Sequence, residues 1–216
     1  GVIRGLAKGA KREKSPFSGG FDVGTRGQIV AIVKTGAELA NLTAWTLLEL
    51  FPPIHQSLHA NRSALYMLEL VQFMMHDHDP HPRAFDALLD AMRVVGQAGR
   101  RDRELLRFQW ILLEETGYRP ELNQNLETGL AIDQSASAFA FSPAQGGLVT
   151  DSGFADRWRV RRETIDTLRR LSIIPEKFVA DEETLRRANR LLAAYARHIL
   201  GREGPALRWA FPDLEA

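Results

Sequence analysis

Apolar positions alternate with polar ones over the first fifty residues and then fall into a helical period, so the chain reads as a β-rich beginning joined to a larger α-helical body. VIRGLAKGA at residues 2–10 alternates like a strand, and a polar Gly/Lys/Ser/Pro loop follows at 11–20. Residues 21–34 read as a second strand, with Ile29, Val30, Ile32 and Val33 as its apolar part. LTAWTLLEL at 42–50 is β-branched and aromatic enough for a third, although its leucines would suit a helix; Pro52-Pro53 ends it. From about residue 55 the spacing is helical. The stretch 62–76 is strongly apolar, and 82–96 opens with Pro82 in its first turn and places Phe85, Leu88, Leu89, Met92 and Val95 on one face. Residues 101–116 carry Leu105, Leu106, Phe108, Ile111 and Leu112 and stop at Gly117, a natural C-terminal cap. The clearest helix is 182–200, with an N-cap at Asp181, Glu182 and Glu183 in the first turn, a stripe of Leu185, Ala188, Leu192, Tyr195 and Ile199, and Gly201 beyond it. Between these lies 118–153, rich in Gly, Ser, Asn and Thr and poor in period, too long for a plain connection and therefore read as a small irregular module or a functional loop.

A chain of 216 residues, 44% hydrophobic and 25% charged, is ordinary for a globular protein with one or two cores. No apolar run approaches the roughly 20 residues needed to span a bilayer, and the first residues do not read as a signal peptide. A cytoplasmic protein with no membrane partner is the expectation. The chain begins without Met and its first residues already alternate like the inside of a strand, so a shortened N-terminus is the expectation. Cysteine is absent, so disulfides, a catalytic thiol and thiolate-bound zinc or iron–sulfur centres are excluded.

Charge adds a partner to this picture. Arg4, Lys8, Lys11, Arg12, Lys14, Arg26 and Lys34 stand against only Glu13 and Asp22 in the first 36 residues, a net +5 in a chain that carries +1 overall. A positive patch on a mildly acidic body attracts polyanions, with nucleic acid first among them. Phe17 and Phe21 are the aromatics available there for base stacking, which favours sequence-independent phosphate contact over base readout.

Other constellations carry less. His76, His78 and His81, with Asp77 and Asp79, have metal-ligand types at close spacing, which leaves a metal-dependent enzyme as an alternative. They sit, however, where a helix ends between Pro80 and Pro82, and a histidine at a helix C-terminus is favoured by the dipole alone. His55 and His59 read as isolated packing or surface residues. The arginines at 157, 159, 161, 162, 169 and 170, balanced by Asp156, Glu163 and Asp166, read as a largely ion-paired helical face. There is no Walker-type loop, nucleophile elbow or helical zinc-protease motif, so a non-enzymatic role without cofactor is favoured.

The order GLAKGAKREKSPFSGGF, LLELFPPIHQSLHANRSALYMLELVQFMM, LLRFQWILLEETGYRPEL and FSPAQGGLVTDSG resembles the RecO family of bacterial recombination mediators over nearly the whole chain. The most specific pieces are AKGAKREKS, TGYRPEL and FSPAQGGL. The resemblance implies an α+β protein: a partial N-terminal OB-fold β-barrel at 1–53, then a helical domain at 54–216 with a degenerate, metal-free zinc-finger-like insertion at 118–153. It implies binding and annealing of single- and double-stranded DNA, and work with RecR and the C-terminal tail of the single-stranded-DNA-binding protein to help load RecA. By carry-over, Arg4, Lys8, Lys11, Arg12 and Lys14 contact phosphates, with Arg26 and Lys34 as weaker choices. The acidic, apolar tail would meet Arg103 and Arg107 beside Phe108 on the 101–116 helix.

Two departures qualify the resemblance. Family members carry further strands before GVIRGLAKGA, so an incomplete barrel with an open edge is expected. Members with metal show two CxxC pairs, and the matching positions here are Asn125 and Thr128, then Thr150 and Gly153; a zinc site is not expected. The shape of the module could survive as a short hairpin around Phe139 and Phe141. The competing expectation is a helical protein-interaction scaffold without DNA binding of its own.

Overall fold

The computed structural model describes residues 2–10, 12, 15–17, 21–36, 38–133, 135–153 and 155–214. The chain opens with a three-stranded sheet of β1 (Gly5–Ala7), β2 (Thr25–Ile32) and β3 (Ala40–Leu50), in the order β1-β3-β2. β1 runs parallel to β3, with Gly5 beside Ala40, and β2 runs antiparallel, with Thr25 beside Leu50 and Ile32 beside Asn41. All three strands fall where alternation predicted them, but the first is shortened to three residues. Among the described residues the sheet is open and no closed barrel is seen. β3 is the long central strand because Trp45, Thr46 and Leu47 suit a pleated surface, and two register shifts, at Arg26/Gly27 and Val30/Ala31, increase its twist.

The body is built from α1 (Leu58–Met74), α2 (Pro82–Val94), α3 (Ala98–Glu115), α4 (Arg162–Ile173), α5 (Glu182–Leu200) and the short α6 (Pro205–Ala210). α1 starts four residues ahead of the apolar run because the Ser57 hydroxyl accepts the Ala60 N–H. α3 closes with the Tyr118 N–H on the Leu113 carbonyl and the Gly117 N–H on that of Glu114, a Schellman cap. Asp181 caps α5 as its sequence indicates. One continuous apolar core runs from Phe51 to Leu207 through all six helices. Across it lies a buried polar chain: the Tyr66 hydroxyl donates to Gln109 Oε1 (2.8 Å), Gln109 Nε2 donates to Asn189 Oδ1 (2.7 Å), and Asn189 Nδ2 donates to the carbonyls of Asp102 and Leu185. These bonds tie α1, α3 and α5 together. α6 is held by Glu69 of α1, whose carboxylate accepts the N–H groups of Ala206 and Leu207.

Residues 118–153, expected to be irregular, are in large part a built module. β4 (Ala138–Ser142) pairs with β5 (Gly147–Val149) in a hairpin and with β6 (Trp158–Arg161) on its other side. Phe139 and Phe141 lie in β4, and Phe141 packs on Trp158 and Tyr195, which joins the module to α5. The Gly-Gly pair has a steric cause: a Cβ at Gly147 would stand 2.5 Å from the Glu121 carbonyl oxygen, since residues 121–126 run alongside the hairpin.

Candidate nucleic-acid interface

Sheet register decides which of the expected cations share a surface. Arg4 precedes β1, and its carbonyl accepts the Ala40 N–H at the start of β3. Lys34 follows β2, whose last residue Ile32 lies beside Asn41. Arg4 and Lys34 therefore occupy the same end of the sheet. Lys8 and Arg12 lie in the turn after β1, and the chain then returns to β3 through a Trp45 N–H bond to the Pro16 carbonyl. Arg4, Lys8, Arg12 and Lys34 are all exposed; Arg4 sits 4.0 Å from Asp77, and the other three make no ion pair with a described residue. Lys11 and Lys14 lie outside the described residues.

Arg26 stands apart from these. It is at the opposite end of the sheet, directly across from Glu49, and pairs with it at 3.2 Å. Arg93 of α2 grips the same carboxylate with Nε at 2.8 Å and Nη2 at 2.9 Å. The Arg93 bonds, aided by Arg26 and opposed by partial burial, pull the Glu49 carboxyl from 4.5 down to about 2. Arg93 thus clamps the sheet to the body, and Arg26, bound to the same carboxylate from the neighbouring strand, is already neutralised.

Of the two stacking candidates, Phe17 is 3% exposed and so cannot receive a base, whereas Phe21 is 42% exposed. Phe21 packs between Phe17 (5.4 Å) and the edge of Trp45 (5.2 Å). Trp45, on β3 with its ring over Gly27, is an aromatic member of this surface that sequence reasoning left out. Its place in the alternation of β3 was the available signal.

The remaining candidates are mostly structural. Phe108 is fully buried, which removes it from any surface pocket. Arg103 donates to the Glu176 carbonyl and lies over Phe178, and Arg107 pairs with Asp90 at 3.2 Å and Glu104 at 3.4 Å. His81 lies 3.1 Å from Asp79 and 3.7 Å from Glu115, while the backbones of His76 and His78 bond to Val2. Among the described residues no three His, Asp or Glu side chains are placed to hold a metal ion. Arg157 pairs with Glu127, and Arg162 and Arg169 lie over Phe139 while bonding to backbone carbonyls. Arg157, Arg162 and Arg169 of that basic stretch are therefore turned inward, whereas Arg159 and Arg161 of β6 and Arg170 of α4 are exposed. At the four positions that the resemblance suggests as counterparts of zinc ligands, Asn125, Thr128, Thr150 and Gly153 offer an amide, two hydroxyls and no side chain, a set that does not fit zinc. No helix is long and apolar enough to cross a membrane among the described residues.

These features define a two-part protein, a small basic sheet clamped to a helical body that bears a three-stranded module. Residues 55–208 match the family model described as Recombination protein O C terminal, and the chain belongs to the RecO family. It is 31% identical over 179 residues to the DNA repair protein RecO of Rhodopirellula baltica, covering 82% of this chain and 66% of that one. It is 29% identical over 221 residues to the protein of the same name from Roseiflexus sp., covering 99% of this chain and 76% of that one. The Geobacter sulfurreducens protein of that name is 28% identical over 137 residues, 63% of this chain and 56% of its own length.

Proposed function

We propose that the chain is a non-enzymatic mediator of DNA repair and recombination, which binds and anneals single- and double-stranded DNA through the basic sheet and acts in the cytoplasm. The observation that carries this reading is the exposed set Arg4, Lys8, Arg12 and Lys34 on the sheet of a chain whose body matches RecO. Its relatives are named DNA repair proteins, which supports the same role. Arg26 drops out of the phosphate-contacting set; Lys11 and Lys14 remain in it on sequence grounds. On this reading the open sheet is part of an OB-fold barrel, 1–53 is the DNA-binding part, and 118–153 is a metal-free counterpart of a zinc module.

RecR, the tail of the single-stranded-DNA-binding protein and, indirectly, RecA are the proposed partners. The cleft beside α3 that holds Arg93, Arg100 and Arg107 is lined by Asp90, Glu104 and Glu176 as well, and Arg93 and Arg107 are already paired, so Arg100 is its cation without an ion pair to a described residue and the one to change in a test of tail binding.

The test is binding of single-stranded oligonucleotides across a salt series, comparing the chain with a variant in which Lys8, Lys11, Arg12 and Lys14 are changed to alanine. Losing four phosphate contacts should make the slope of log affinity against log salt shallower by about 3 and weaken binding at low salt by an order of magnitude or more. Equal affinities would sink the assignment. A second reading, a scaffold that binds only protein, draws support from the exposed Val30, Ile32, Leu48 and Leu50 on the sheet. Capture of the acidic tail peptide together with undetectable DNA binding would favour it.

A further inference from the structure

We propose that the two loops at residues 125–128 and 150–153 are the shell of a metal site in which a side-chain cluster, Asn125, Glu127, Thr150 and Arg157, cross-links the loops in place of an ion. The inference does not depend on DNA binding; it rests on geometry within the module.

The two loops face each other directly. Asn125 Nδ2 donates to Thr150 Oγ1 at 3.1 Å, so the first position of each pair meets its counterpart across the gap. Asn125 Oδ1 also accepts the N–H groups of Glu127 (2.9 Å) and Thr128 (3.2 Å), which closes the first loop into a tight turn. Glu127 Oε2 accepts the Thr150 N–H at 3.2 Å, a second link between the loops. Arg157 completes the cluster from the start of β6: Nη2 donates to Glu127 Oε1 at 2.7 Å and Nη1 to Oε2 at 3.3 Å, and Nη1 also donates to the Thr150 carbonyl. The Arg157 side chain is only 13% exposed.

Each feature that builds this cross-link also works against a cation. A structural zinc site needs several anionic or imidazole ligands converging on one point. Here the only carboxylate among the four cluster residues is committed to Arg157, and a bound divalent ion would face the guanidinium's positive charge. Partial burial pushes the Glu127 carboxyl up, but bonds from Arg157 and Thr150 outweigh it and keep the group below its ordinary range. Gly153 has φ of 70°, a conformation that a ligand-bearing L residue rarely adopts. What an ion would do by coordination, holding two short loops in register beneath the hairpin, the cluster does by hydrogen bonds and one bidentate ion pair. The module is therefore independent of metal supply and of thiol oxidation.

Three measurements on the full chain test this. Metal analysis of the purified protein, with thermal unfolding in chelator and in added zinc, should give no stoichiometric metal and one midpoint within about 1 °C; a bound equivalent of zinc, or a midpoint lowered by chelator, would overturn the proposal. Glu127→Gln and Arg157→Met should each lower the midpoint by about 2–4 °C, and the double variant should lose clearly less than the two losses combined; additive losses, or none, would overturn it. A variant carrying Asn125→Cys, Thr128→Cys and Thr150→Cys together with Arg157→Met should bind one cobalt(II) with the absorption bands of a tetrahedral thiolate site. It should also become sensitive to chelator, and absence of such bands in a folded variant would show that the loops are not a metal shell.

Discussion

At the scale of single residues, Glu49 has the clearest consequence. It is the one group that the sheet's Arg26 and the body's Arg93 share, and its carboxyl is held at about 2 against an ordinary 4.5. A depressed carboxyl stabilises the fold fully above its unfolded value and loses that contribution as pH falls toward its folded value. Glu49→Gln should therefore cost about 1–2 kcal/mol between pH 5 and 7. The difference from the parent chain should shrink below pH 4.5 and vanish near pH 2, which thermal or denaturant midpoints taken across that range would detect. A difference that stayed constant down to pH 2 would mean that the charge of Glu49 contributes nothing. The same scale separates cations that look alike in sequence. Lys8 and Arg26 are both basic residues in a β-rich region, yet only Arg26 faces a carboxylate across the ladder. Alternation along a strand cannot reveal this, because the partner is set by a register 23 residues away.

At the scale of elements, the helices were legible wherever a local signal marked an end. Asp181 and Gly201 bracket α5, Gly117 closes α3, and Pro82 opens α2, since caps and proline act within a turn of their own position. α4 was read only as a charged face, because its buried Ile165, Leu168 and Leu171 are interleaved with arginines that turn back onto Phe139 and onto backbone carbonyls. The module at 118–153 was harder still. Its strands are three to five residues long, and their partners, Glu121 beside Gly147 and Phe139 beside Val160, are separated by stretches that carry no period. Gln109 and Asn189 sit on the apolar faces of α3 and α5, where a sequence reading counts polar residues as exceptions. Their bonds explain them. Gln109→Leu would strand both the Tyr66 hydroxyl and Asn189 Oδ1 inside the core and should cost about 2–4 kcal/mol, whereas Tyr66→Phe leaves only Gln109 Oε1 unpaired and should cost about half as much. Urea midpoints with an unchanged slope would check the order, and an equal cost for both would show that the chain of bonds is not continuous.

At the scale of the whole molecule, charge and apolar core lie in different parts of the chain. The buried cluster begins at Phe51 and runs to Leu207, whereas Phe17 and Ala40 are the buried apolar residues that the sheet region holds outside it. The two parts meet through a few polar links, Arg93 on Glu49, the backbone of Val2 on His76 and His78, and Arg4 near Asp77, and through the Val2 side chain packed against the core. Stability should therefore reside in the body, and the proposed DNA contact in the sheet. Removing residues 1–50 should leave a body that keeps its helical signal and unfolds cooperatively, with a midpoint lowered by only a few degrees, because nearly all of its buried apolar surface is retained. The same shortened chain should lose most of its affinity for oligonucleotides, having given up the +5 segment while keeping a body, residues 51–216, that carries −2. Circular dichroism and a binding titration on one preparation separate the outcomes. A shortened chain that folds and still binds DNA as well as the parent would move the interface to the body, where Arg159 and Arg161 of β6 are exposed cations to examine next. A shortened chain that fails to fold would mean that the polar links to the sheet carry more of the stability than their number implies.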